Sequence, residues 1–179
     1  MFLLLAATFL LGAAVNSLFT FLAPFAYARG RGSVGSFFMS YAMAAVAVRV
    51  LTGRLPDRIG LRRVLIPALL MYAIGVLSVS HANDSRAFVL VGAVCGAGHG
   101  YAFPILSALT VEAVAARSRG RAVSWLTAMF DLGNTIANPI LGAVAEGAGY
   151  PTMFAASGLA MLATPALVWR RPRPADEVR

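Results

Sequence analysis

Long apolar runs separated by short polar turns set the pattern of this chain. The first run covers residues 2–27 and opens on Phe2-Leu3-Leu4-Leu5; the turn Arg29-Gly30-Arg31-Gly32 closes it. A second run, 33–52, ends at the polar segment Gly53-Arg54-Leu55-Pro56-Asp57-Arg58-Ile59-Gly60-Leu61-Arg62-Arg63. The third, 64–81, gives way to Ala82-Asn83-Asp84-Ser85-Arg86, and the fourth, 87–114, to Arg117-Ser118-Arg119-Gly120-Arg121. The fifth, 122–145, ends at Glu146-Gly147-Ala148-Gly149, and the sixth, 151–169, precedes a polar stretch, 170–179. A bilayer core of ~30 Å takes about 20 apolar residues per helix. The pattern therefore predicts an all-α integral membrane domain of six transmembrane helices over residues 1–169, with a tail over 170–179.

Composition agrees. Hydrophobic residues make up 59% of the 179 and charged residues only 12%, against roughly 25% charged in a soluble domain. Met1 leads into the first apolar run with no basic region before it, so that run reads as a spanning helix and not as a cleaved signal peptide. The abrupt start also raises the expectation that sequence upstream has been lost.

The net charge of +8 comes from 15 arginines and no lysine. The arginines sit in the turns and form no stripe on a soluble face, which argues against nucleic acid as a partner. Four lie in the second turn (Arg54, Arg58, Arg62 and Arg63), three in the fourth and four in the tail, eleven in all; the opposite side has Arg29, Arg31 and Arg86. Basic residues concentrate on the cytoplasmic side of a membrane. Both termini of the multi-pass chain are thus expected in the cytoplasm.

Little here suggests an enzyme. Cys95 is the single cysteine and reads as a small core residue. The two histidines and seven carboxylates form no metal-ligand or nucleophile arrangement, so no cofactor and no metal is expected. Gly92, Gly96 and Gly100 lie four apart inside an apolar helix, which marks a close-packing face and not a phosphate loop.

The segment Gly53–Leu65, G-R-L-P-D-R-I-G-L-R-R-V-L, resembles the signature loop of the major facilitator superfamily, which lies between the second and third helices of each half. Its parts have physical uses. Gly53 lets a helix approach a neighbour closely, Asp57 suits the start of the third helix, and Gly60 permits a backbone turn. Arg58 and Arg62 can pair with carboxylates. The resemblance implies a charge network that holds a cytoplasmic gate, with Glu112 at the inner end of the fourth helix as partner carboxylate. Pro56 and Leu61 depart from the family pattern. Gly96-Ala97-Gly98-His99-Gly100 with Pro104, then Asp131-Leu132-Gly133 and Asn138-Pro139, resemble the fourth and fifth helices of a C-terminal half, closest to the drug- and sugar-efflux-like branches. The resemblance implies one half of a twelve-helix transporter.

Ionisable groups inside a membrane are expensive and functional by default. Asp131 is about ten residues into the fifth run, ~15 Å deep, and Asn134 and Asn138 share its face. His99 is near the middle of the fourth run. It either joins Asp131 in a central cavity that handles protons or bonds a neighbouring helix. Arg49 either snorkels to the interface or pairs with Asp131. Asn16 and Thr20 share a face of the first helix, facing either the cavity or a neighbouring helix. These residues form the candidate substrate and proton site. The expected mechanism is alternating access around a midplane cavity, with an unspecified small molecule as substrate and protons as coupling ion. A second six-helix half or a homodimer partner would complete the pathway. The alternative is a non-transporting membrane remnant that associates with a partner transporter.

Overall fold

The computed structural model describes residues 1–30 and 33–169. Arg31 and Gly32 of the first turn and the tail 170–179 lie outside the described residues.

The described chain is helical, with no strand. Helix α1 spans Phe2–Arg29, α2 Val34–Thr52, α3 Leu55–Ile59, α4 Leu61–Val79 and α5 Ser85–Glu112. A short 3-10 turn, Ala116–Ser118, leads into α6, Arg119–Met161, and α7 covers Thr164–Trp169. Helix starts follow local chemistry. The Ser33 hydroxyl accepts the Ser36 amide at 3.2 Å at the start of α2. The Asp84 carboxylate accepts the Ala87 amide at 2.8 Å at the start of α5.

The 43 residues of α6 would reach ~65 Å if straight, about twice the bilayer core. They do not run straight. Gly149 takes φ 83 and ψ 159, which are not helical values, and only glycine adopts them without strain. Pro151 follows, where a missing N–H is no loss at a helix start. The chain folds back there. On the first arm Asn138 meets Asn16, and on the second Ser157 meets Ser17, so both arms cross α1 at one level. The fifth and sixth spans are therefore the two arms of one kinked element, and the described residues make six apolar passages.

The sixth passage does not run unbroken to Trp169. It breaks at Leu162 and Ala163 before α7. Pro165 gives the reason: its ring excludes a helical carbonyl four residues back, at Met161. The Thr164 hydroxyl caps that break, donating to the Met161 carbonyl at 2.7 Å. The polar segment between the second and third spans also differs from a plain turn, because α3 lies within it.

Two sets of helices form the body. α1 packs along α6, while α5 packs between α2 and α4. The second arm of α6 joins the sets by packing on α4, where Gly158 faces Leu77. Glycine makes each close approach possible. A Cβ at Gly12 or Gly133 would strike the Phe130 or Phe9 carbonyl across the α1–α6 seam. On α5, Gly92, Gly96 and Gly100 face Phe37, Tyr41 and Ala45 of α2 in turn. With no hydrophobic force between helices in lipid, such backbone contact supplies the association. At the end opposite the Gly53–Arg63 segment, Arg29 clamps α1 to the α4–α5 turn. Its guanidinium lies 4.5 Å from the Phe25 ring centroid and donates to Asn83 Oδ1 at 2.8 Å.

Candidate functional site

The helix α6 divides its exposed perimeter by chemistry. Trp125, Leu132, Ile136 and Ile140 are exposed on one side. On the other lie Ser124, Thr127, Asp131 and Asn138, all exposed, with Asn134 half-buried between them. The polar positions follow a three-four-three-four spacing, which keeps them on one helical stripe. Helix α1 supplies the adjoining wall. Asn16 Nδ2 donates to Asn138 Oδ1 at 3.2 Å, and Thr20 Oγ1 donates to Asn16 Oδ1 at 2.9 Å. Asn16, Thr20 and Asn138 thus form one hydrogen-bonded chain across the seam beside Asp131. Asn134 donates to the Phe130 carbonyl of the preceding turn of its own helix at 3.2 Å.

Asp131 is the one carboxylate in this stripe. Among the described residues its carboxylate has no ion-pair or hydrogen-bond partner. Arg49 is not its partner: Arg49 Nε donates to the Gly100 carbonyl of α5 at 2.9 Å. His99 is also held elsewhere. Its Nδ1 lies 2.5 Å from the Tyr41 hydroxyl of α2, and its ring lies 5.7 Å from that of Tyr72 on α4. His99 thus bonds a neighbouring helix, one of the two roles weighed for it. Both differences have one physical cause. The glycine face of α5 draws α2 close enough for Arg49 and Tyr41 to reach α5 first.

Ser124 and Thr127 were not singled out in the sequence, although they continue the spacing of Asp131, Asn134 and Asn138. Hydroxyls are common inside spanning helices, where they bond the preceding turn. Ser124 does so here, donating to the Gly120 carbonyl at 3.1 Å. Only the whole stripe, set against the apolar side of the same helix, distinguishes them.

The signature loop folds differently from its expected parts. Gly53 makes no approach to a neighbouring helix; the Cβ it lacks would strike the Arg49 carbonyl one turn earlier. Asp57 lies in the first turn of α3 and does not cap α4. Gly60 separates these two helices with φ 100, as a glycine turn should. Around α3 lie two clefts. Asp57, Arg62, Arg63 and Glu112 line one, of about 750 Å³. Arg58 lies in the other, with Arg49 and Arg54, in about 680 Å³. Arg62 and Glu112 therefore share a cleft, while Arg58 is on the far side of α3.

The fold, the glycine-packed seams and this loop between the second and third passages define one class of protein. The sequence profile of the Major Facilitator Superfamily matches residues 4–179. The chain belongs to that family, as a six-helix, all-α membrane half of a transporter fold. It is 30% identical over 161 residues to the uncharacterized MFS-type transporter YhhS of Escherichia coli K12, which covers 89% of this chain and 40% of the relative. It is 30% identical over 145 residues to the 3-(3-hydroxy-phenyl)propionate transporter of the same strain, covering 81% and 36%. It is also 30% identical over 144 residues to the uncharacterized MFS-type transporter Rv1877 of Mycobacterium tuberculosis H37Rv, covering 75% and 21%. The chain thus spans two-fifths or less of the length of these relatives.

Proposed function

We propose that this chain is one half of a proton-coupled transporter of small organic solutes that works by alternating access. It lies in the bacterial plasma membrane with both termini in the cytoplasm. The observation that carries the reading is the polar stripe of α6, with Asp131 at its middle and the Asn16–Thr20–Asn138 chain beside it. A carboxylate some 18 Å along a spanning helix is costly against lipid. It is retained where it faces water, solute or a second half. In this reading Asp131 takes up and releases the proton, and the amide and hydroxyl groups beside it hold the solute. Arg62 and Glu112, in one cleft at the arginine-rich end, form the gate, with Asp57 beside them.

The family name of the relatives supports solute movement, and one of them is named for an aromatic acid. Because the chain spans 40% of its first-named relative, a pathway here needs a second six-helix half or a second copy. A chain without either would be a membrane-resident partner of another transporter, which is the second reading. The two separate in one experiment. The chain alone, and the chain joined to the part of its YhhS relative that it does not match, are placed in proteoliposomes with a panel of aromatic acids and common efflux substrates. Proton-driven movement of a panel member by the joined form is the expected result. Movement by neither form, with both correctly inserted, would favour the partner reading.

A further inference from the structure

The two clefts around α3 differ in charge. One holds Arg62 and Arg63 against Asp57 and Glu112 and is balanced. The other holds Arg49, Arg54 and Arg58 with no carboxylate in its lining. All three arginines are exposed, and none makes an ion pair among the described residues. Arg49 is fixed at one point only, through Nε to the Gly100 carbonyl. That leaves the outer edge of its guanidinium free to meet an anion. A second helix contact holds the end of α2 in place beneath it: the Tyr101 hydroxyl donates to the Thr52 carbonyl at 2.9 Å.

The remaining lining is apolar and faces outward. Val50 and Leu51, at the end of the spanning helix α2, are 74% and 78% exposed, and Leu55, which opens α3, is also exposed. Three cations bordered by outward-facing aliphatic side chains suit a ligand with an anionic head and an apolar body. A soluble anion would have no use for Val50 and Leu51. An acidic side chain could neutralise one arginine but not fill about 680 Å³.

The geometry points to a binding site for an anionic phospholipid, its phosphate held by Arg49, Arg54 and Arg58 and its acyl chains lying along Val50, Leu51 and Leu55. Guanidinium groups suit phosphate because they offer paired donors in a fixed plane. Basic pockets beside spanning helices on the cytoplasmic side bind anionic headgroups in general. The inference rests on the membrane reading above for the depth of this site, and not on transport.

The test uses the full chain, purified in detergent micelles doped with phosphatidylglycerol and phosphatidylethanolamine, with retained lipid read by native mass spectrometry. The chain should retain phosphatidylglycerol preferentially. Arg54→Gln with Arg58→Gln should weaken it roughly 30-fold, at about fivefold per arginine near an anionic surface. Arg54→Lys with Arg58→Lys should keep more of the preference than the glutamine pair, because the charge remains, but less than the unmodified chain, because the paired donors are lost. Arg62→Gln with Arg63→Gln, an equal loss of charge in the balanced cleft, should change it less than about threefold. No preference in the unmodified chain would overturn the proposal, whether or not any variant folds. So would equal losses from the two clefts. Displacement by millimolar inorganic phosphate would assign the site to free anions, and loss of the lipid on joining a second half would assign it to an acidic partner side chain. Either result overturns the lipid site. The measurement involves no transport, so its failure and that of the transport reading are seen separately.

Discussion

Asp131→Asn, in the form joined to a second six-helix half, should abolish proton-driven accumulation while leaving solute exchange at equal pH. The magnitude follows from the energetics of the gradient. One pH unit is worth about 1.4 kcal/mol per proton, and that is a factor of ten in concentration. With one coupled proton and a gradient of about one unit, solute should accumulate roughly tenfold. Asparagine has nearly the shape of aspartate but carries no titrating proton. The accumulation ratio should therefore fall to about one. Counterflow should persist, because the Asn16–Thr20–Asn138 chain beside the site is untouched. An unchanged accumulation ratio would remove Asp131 from proton coupling. Loss of both accumulation and counterflow would make it a structural or solute-holding group.

Gly96→Ala should have the largest effect on the fold. The added Cβ would lie against the Tyr41 carbonyl and Cα, which are backbone atoms of α2. No rotamer change relieves that contact, so the whole α2–α5 seam must open. Overpacking costs typically 1–3 kcal/mol, and a backbone-on-backbone clash should reach about 3 kcal/mol or more. Opening the seam would also stretch the Arg49 bond to Gly100 and the Tyr41 bond to His99. Gly120→Ala and Gly147→Ala are the matched controls, since neither Cβ would meet anything within 4 Å. Alanine is the better helix former there. Thermal unfolding in detergent should place Gly96→Ala far below the unmodified chain and the two controls level with it or above. Equal midpoints for all three variants would contradict the glycine seam.

These two residues mark how far the sequence could be read. The six apolar passages were legible because lipid forces each span to carry its own run of apolar residues. The spacing of Gly92, Gly96 and Gly100 was legible as a packing face because four residues make about one turn. Their partner helix was not, since nothing local to α5 names Phe37, Tyr41 and Ala45. The same gap hid the partners of Arg49 and His99. Each had a reasonable carboxylate or cavity role in the linear chain, and each is held by a group 51 or 58 residues away. The helix α3 was hidden for a different reason: five residues are too few to show a helical period. The break before α7 could have been read from Pro165, by the rule that sets the residues before a proline apart from helix. At the site, the Asp131–Asn134–Asn138 face was visible in the spacing. The contrast that gives it meaning, a polar side opposite Trp125, Leu132 and Ile136, required the exposed surface of α6.

In the proposed transporter the polar side of α6 meets water inside the membrane and the other side meets lipid. Cysteine labelling distinguishes the two sides. Single substitutions Ser124→Cys, Thr127→Cys, Asn134→Cys, Trp125→Cys, Leu132→Cys and Ile136→Cys are made with Cys95 replaced by alanine. Each protein is treated in intact membranes with a charged, water-borne thiol reagent. Labelling of the first three and protection of the last three is the predicted result; equal labelling of both sides, or protection of all six, would contradict it.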